Sequence, residues 1–231
     1  MTRFSLKYGI DAPQWVALQL AFGALLLVLL STVEIPWLWL QVYLIAVTAA
    51  ALVIGSWMLL YSTWIKLWHR RVILGEAGVR SGQRLLDVGT GRGLLAISAA
   101  ALGAQVTALD KWSARDLSGN GQQALELNCR LEGTPQIRVM DGEAQRLPFA
   151  DKSFDAVVSH FVVHNIGSAD DRELAILEMW RVLRTGGVLV LSDFGKTKEY
   201  EQLLASLTSD LKIRRFWYTF PFSKLLVATK K

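Results

Sequence analysis

Two long apolar runs open the chain. Gln14 to Val33 is interrupted only by Gln14, Gln19, Ser31 and Thr32, and Trp37 to Tyr61 only by Gln41 and a few hydroxyls; neither run holds a charge. A helix needs about 20 apolar residues to cross the hydrocarbon of a bilayer. Each run therefore predicts a transmembrane helix, with spans at about 14–33 and 37–61. The Glu34-Ile35-Pro36 link is short enough only for a tight hairpin, and Pro36 ends one helix and starts the next.

From residue 62 the pattern changes. Ser62 to Ile73 mixes Trp, Leu and basic groups. It reads as a helix lying at the lipid interface, or as a plain connecting helix that leads into the next domain. Residues 62–82 thus form a linking stretch between a hairpin at 1–61 and a domain at 83–231. In that domain seven short β-type runs (84–88, 105–109, 136–140, 154–159, 187–193, 213–217 and 225–229) alternate with helical stretches at 94–102, 122–131, 170–183 and 198–208. Such alternation predicts an α/β fold, a seven-stranded mostly parallel sheet with helices on both faces and a closing hairpin. Ligands of these sheets bind beyond the carboxyl ends of the strands, so the chemistry is expected in the loops that follow them.

Composition sharpens the membrane reading. Hydrophobic residues make up 52% of the 231, with nine Trp, and the excess lies before Tyr61. Trp15, Trp37, Trp39, Tyr61, Trp64 and Trp68 stand near the ends of the runs, where aromatic belts form. The net charge of +5 is read as membrane-side rather than nucleic-acid binding, because Lys66, His69, Arg70 and Arg71 follow the second run and no basic, aromatic-interleaved stripe occurs elsewhere. Arg3 and Lys7 precede the first run, and the turn carries only Glu34. The positive-inside rule then places both termini and the following domain in the cytoplasm. A cleaved signal peptide is disfavoured by the late start and the second run. The single cysteine, Cys129, permits no internal disulfide and reads as a small buried hydrophobe. The three histidines lack the Cys or paired acids that a metal site needs, so none is expected.

The chemistry-bearing motif is Leu85-Leu86-Asp87-Val88-Gly89-Thr90-Gly91-Arg92-Gly93, a glycine loop between a strand and a helix. A dinucleotide fingerprint needs a small residue at position 94, which is Leu; the spacing here is G-x-G-x-G after an acid. That loop, followed in order by Asp110 at the end of the second strand, Gly142-Glu143-Ala144, the Ser153–Ser159 strand and Arg181–Leu191, resembles the class I S-adenosylmethionine-dependent methyltransferases, within them the bacterial small-molecule group. The resemblance covers roughly residue 75 onward and implies a Rossmann-like fold with S-adenosylmethionine as cofactor.

By that resemblance Asp87, Gly89, Thr90, Gly91 and Gly93 wrap the methionine end, and Asp110, with Lys111 and Trp112 after it, meets the ribose and adenine. Glu143, between Gly142 and Ala144, takes the adenine amino group, with Asp141 as the fallback acid. Ser159 and His160 border the cofactor's amino group, and His160 and His164 are the candidate catalytic groups. Plainer readings stand beside these. Asp87 caps the loop, Trp112 packs in the Ser113–Gly121 loop, and His164 orders its own loop. The aromatic run Phe216–Phe222 lines an apolar substrate pocket, packs as core, or serves as an interfacial foot. The implied activity is methyl transfer to a small, apolar or lipid-like acceptor at a membrane. The alternative is a cofactor-binding membrane scaffold or sensor without catalysis.

Overall fold

The computed structural model describes residues 6–113 and 116–231; Arg3 lies outside them. Two antiparallel helices come first, α1 (Pro13–Thr32) and α2 (Leu38–Leu60). They cross at glycines. A Cβ on Gly23 would lie 2.7 Å from Leu52, and one on Gly55 2.8 Å from Leu20. Removal of the side chain lets the backbones approach, as in membrane helix pairs.

α2 does not end at Leu60. Tyr61–Ile65 form one π turn and α3 (Lys66–Glu76) continues from it. The α/β domain follows as β1 (Arg84–Val88), α4 (Leu94–Ala101), β2 (Gln105–Asp110), α5 (Gln122–Leu131), β3 (Arg138–Asp141), β4 (Phe154–His160), α6 (Ala169–Val182), β5 (Leu183–Asp193), α7 (Thr197–Leu207), β6 (Leu211–Phe216) and β7 (Ser223–Thr229). The sheet runs β3-β2-β1-β4-β5-β7-β6, all parallel except β7, which is antiparallel to both neighbours. This is the expected Rossmann-like sheet. Its order reverses between β1 and β4, the crevice where such sheets bind ligands.

Neighbouring side chains of one strand feed two cores. Leu85 joins Ile97, Ala108 and Leu125 on one face, while Leu86 and Val88 join Met179, Leu189 and Tyr200 on the other. Burial on both faces explains why the parallel strands read as continuous apolar runs. β5 begins before the expected residue 187: Arg184–Gly187 are an irregularity inside it, and its pairing with β4 jumps from Phe154–Leu183 to Ala156–Val188.

The linking stretch turns most of its basic groups toward the α/β domain. Lys66, His69 and Arg70 are buried against the domain, and only Arg71 of the four basic groups is exposed. The extra residue of the π turn rotates α3 so that this polar side faces protein. A departure from expectation is the segment before α1. Tyr8 is packed in the core beside α3 and bonds Glu132, Asn128 donates to the Lys7 carbonyl, and Ile10 and Ala12 pair with the backbone of residues 116–118. Residues 7–12 are therefore stitched onto the α/β domain.

Candidate active site

The glycine loop is held from below. The Gly89 and Thr90 amides donate to the Leu109 carbonyl at 2.8 and 3.1 Å, which ties the loop to the end of β2. Gly89 and Gly93 have φ of 72° and 88°, a region that favours glycine. A Cβ on Gly89 would also meet Val162 at 2.2 Å, and one on Gly93 would meet Leu125 at 2.3 Å. These two glycines are thus required by packing beneath the loop as well as by the turn.

Asp110 is buried at the end of β2. Its Oδ2 accepts the Gly91 amide and its Oδ1 the Trp112 amide, both at 2.7 Å. A carboxylate oxygen has two lone-pair positions, so each oxygen keeps one acceptor site for a ligand. Two adjacent acceptors suit a vicinal diol such as a ribose. Asp87 is fully buried; its Oδ2 accepts the Thr90 hydroxyl at 2.8 Å and the Ala96 amide at 3.0 Å. Burial pushes its pKa up to about 7, against the lowering effect of those two hydrogen bonds. A carboxyl poised in this way ionises readily when a cation arrives. Asn120 adds a buried amide oxygen without a partner among the described residues, in the wall of the same cavity. Paired acceptors, a poised acid and an orphan oxygen fit a cationic nucleoside cofactor.

That cavity holds about 650 Å³. Of the expected cofactor residues it is lined by Asp87, Gly89, Thr90, Gly91, Asp110, Lys111, Gly142, Glu143, Ala144 and His160. Three are set back from it. Gly93 lies under Leu125, the Ser159 hydroxyl donates to the Val88 carbonyl at 2.9 Å, and Trp112 packs against the core. Asp141 pairs with Asp110 across the strands and does not line the cavity either.

The two candidate catalytic histidines prove different. His164 lines the cavity, its Nδ1 lies 2.6 Å from Asp193 Oδ1, and its backbone amide donates to Asp193 Oδ2. Asp193 is buried at the end of β5. A buried carboxylate on Nδ1 fixes the ring and leaves Nε2 to act. His160 is tied at both nitrogens, Nε2 to the Tyr61 hydroxyl and Nδ1 to Ser192 Oγ, each at 3.0 Å. Burial, with the nearby Lys66 charge, lowers its pKa to about 3, so it stays neutral. The chain of contacts continues from Ser192 to His69 and on to Tyr218, at 3.2 and 3.0 Å. Its polar groups sit where the helical hairpin meets the sheet.

Sequence reasoning missed the hairpin side of the cavity. Asp11, Trp15, Gln19, Ile54, Met58 and Lys66 line it opposite the cofactor loops. Lys66 is buried, with its ammonium on the Tyr8 and Gly9 carbonyls and on Asp11 Oδ2 at 3.2, 2.6 and 3.1 Å. Ser62 of the π turn also bonds Asp11. Asp193 was equally hidden, because its partner lies 29 residues away. A strand-end acid that faces a His in the preceding β-loop was the only signal available.

Comparison with known proteins agrees with this geometry. A family model described as a methyltransferase domain matches residues 86–191. Demethylmenaquinone methyltransferase of Deinococcus radiodurans is 39% identical over 127 residues, 54% of this chain and 48% of that protein. A ubiquinone/menaquinone biosynthesis C-methyltransferase of Cellvibrio japonicus is 30% identical over 143 residues, 57% of this chain and 50% of the relative. The chain thus spans about half the length of the curated relatives it matches. Among solved structures, an S-adenosylmethionine-dependent methyltransferase from Aquifex aeolicus superposes with a TM-score of 0.56 at 18% identity, over 71% of this chain and 90% of the other. The cyclase SpnF superposes at 0.61 with 15% identity, over 71% and 81%. At these identities the structures establish the fold.

Proposed function

We propose that this chain, whose sheet domain is a class I S-adenosylmethionine-dependent methyltransferase domain, methylates an apolar, quinol-like acceptor drawn from a membrane that α1 and α2 span. One observation carries the reading: a single cavity is walled on one side by the cofactor loops and on the other by Trp15, Ile54 and Met58 of the two apolar helices. The relatives named for demethylmenaquinone and ubiquinone/menaquinone methylation support an acceptor of that class. The termini and the domain then lie on the cytoplasmic side, by the charge pattern given above.

Bound S-adenosylmethionine supplies an electrophilic methyl group on a positively charged sulfur. Asp110 would hold the ribose through its two spare acceptor positions, and Glu143 would take the adenine amino group. Asp87 contributes negative charge near the methionine end. An activated ring acceptor loses one proton for each methyl gained. His164 Nε2 takes that proton, and Asp193 holds the ring and stabilises the imidazolium. His160 keeps the π turn docked to the end of β4. Closure of the cavity by the hairpin excludes water, which strengthens these interactions.

The test uses the full chain in lipid vesicles with methyl-labelled S-adenosylmethionine and reduced demethylmenaquinone. Labelled quinone product is expected. Asp110→Ala should weaken cofactor binding by about 1–3 kcal/mol in calorimetry, from lost hydrogen bonds. Cofactor binding without label transfer to any quinol would overturn the acceptor class. Absence of binding in a folded protein would overturn the enzyme reading itself.

A further inference from the structure

The aromatic run after β6 has two faces. Phe220 and Pro221 line the same cavity as Ile54 and Met58 of α2. Trp217 and Phe222 point the other way and are 75% and 67% exposed. Between them Tyr218 bonds His69 and packs edge-on against Trp68 of α3, with ring centroids 4.9 Å apart. The loop is therefore fixed at the place where α2 leaves the domain, and it forms part of the cavity rim.

Large aromatic rings in water at such a place are costly to leave unexplained. Trp64 and Trp68 are also more than half exposed, at 57% and 52%. They follow the end of α2 by about one and two turns, the depth at which Trp gathers at membrane interfaces. Basic side chains share these stripes. Arg71 follows Trp68 at helical spacing, and Arg215 near the end of β6 lies two residues before Trp217; both are exposed. The aromatic and basic groups together match the interfacial layer of an anionic bilayer, which attracts Lys and Arg near its surface.

We propose that the β6–β7 loop is a second membrane contact: Trp217 and Phe222, with Trp68 of α3, sit in the headgroup layer of an anionic bilayer and hold the cavity rim against it. The occupant of this surface is lipid. The proposal rests on the membrane-spanning reading of α1 and α2 and adds to it. The hairpin and the domain are joined as one unit, whose tilt against the bilayer a hairpin alone leaves unset. A second contact fixes the tilt and opens the cavity toward the acyl chains, so an apolar acceptor reaches His164 without crossing water.

The experiment places a nitroxide label at one position at a time in the full chain, with Cys129→Ala as background, in phosphatidylcholine vesicles containing phosphatidylglycerol. Labels go on Trp217→Cys, on Phe222→Cys as a second reporter, on Ile45→Cys within α2, and on Leu102→Cys after α4, at the amino-terminal end of the parallel strands. Collision with oxygen reports lipid, and collision with a water-soluble nickel chelate reports water. The labels at 217 and 222 are expected to show an oxygen-to-nickel ratio several-fold above that at 102. If 217 and 222 match 102 while 45 reads as hydrocarbon, the loop contact is overturned and the spans stand. If 45 also reads as water, the spans fail and the loop contact falls with them.

Discussion

The helical hairpin and the sheet domain use apolar residues in opposite ways. In the sheet domain Leu85, Leu86, Ile97, Leu125, Ile176 and Met179 are fully buried, and the two cores are complete without the hairpin. In the hairpin only 17% of the apolar stretch of α1 and 22% of that of α2 is buried within the protein. Leu25, Leu38, Trp39 and Val53 all face outward. One region folds by hiding its apolar surface in itself, whereas the other leaves that surface for its surroundings to cover. The proposed active site lies on the seam. The residues proposed to hold the cofactor come from the self-contained region, and Trp15, Ile54 and Met58 on the proposed acceptor side come from the region whose apolar surface is exposed.

The largest effect should follow a change on the sheet side. His164→Ala is expected to lower kcat by about 10²–10⁴, the usual contribution of a general base, with cofactor affinity unchanged. Single-turnover kinetics beside calorimetry would separate the two. A mutant with normal turnover would return His164 to a loop-ordering role and move the chemistry to the hairpin side.

Next in size is a charge placed in each region at equal exposure. Ile45 in α2 and Leu102 after α4 are 53% and 56% exposed. Ile45→Lys should cost about 2.5–3.5 kcal/mol of membrane insertion, read as lost membrane fractionation or a glycosylation-mapped insertion defect. Leu102→Lys should change neither insertion nor melting appreciably. Equal tolerance at both sites would erase the contrast and leave the hairpin as an ordinary solvent-facing pair of helices.

The smallest effect concerns pH. Burial raises Asp87 to about 7, above the value in an unfolded chain. The folded state then keeps a proton that the unfolded chain loses between about pH 4 and pH 7. The stability this group contributes is present below that window and is lost as pH rises through it. A cationic ligand favours the ionised form, so cofactor affinity should fall about tenfold from pH 8 to pH 6, one pKa unit below the midpoint. Calorimetry at both pH values tests this, and Asp87→Asn should flatten the profile.

Much of the sheet was legible because parallel strands buried on both faces leave unbroken apolar runs. The glycine loop, Asp110 and Glu143 were legible because their spacing is local. Residues 7–12 were not, since a short irregular segment has no periodicity and is ordered by distant partners such as Asn128 and Asp116. The inward turn of Lys66 and His69 was hidden for a related reason. Gly55, Ser62 and His69 are spaced by seven, so an uninterrupted helix would carry them on nearly one stripe. In the structure Gly55 meets α1, while His69 meets Ser192 and Phe216.

The π turn at Tyr61–Ile65 works as a phase shifter. One extra residue sets the two halves of the long rod about 100° apart in azimuth. The α2 half is keyed to α1 through Thr48, Ala51 and Gly55, and the α3 half to the sheet domain through His69 and Ile73. A sequence one residue shorter here would keep its hydropathy profile and every motif, yet aim one of these faces at the wrong neighbour. The angular offset, rather than any single side chain, decides which wall of the cavity the hairpin supplies.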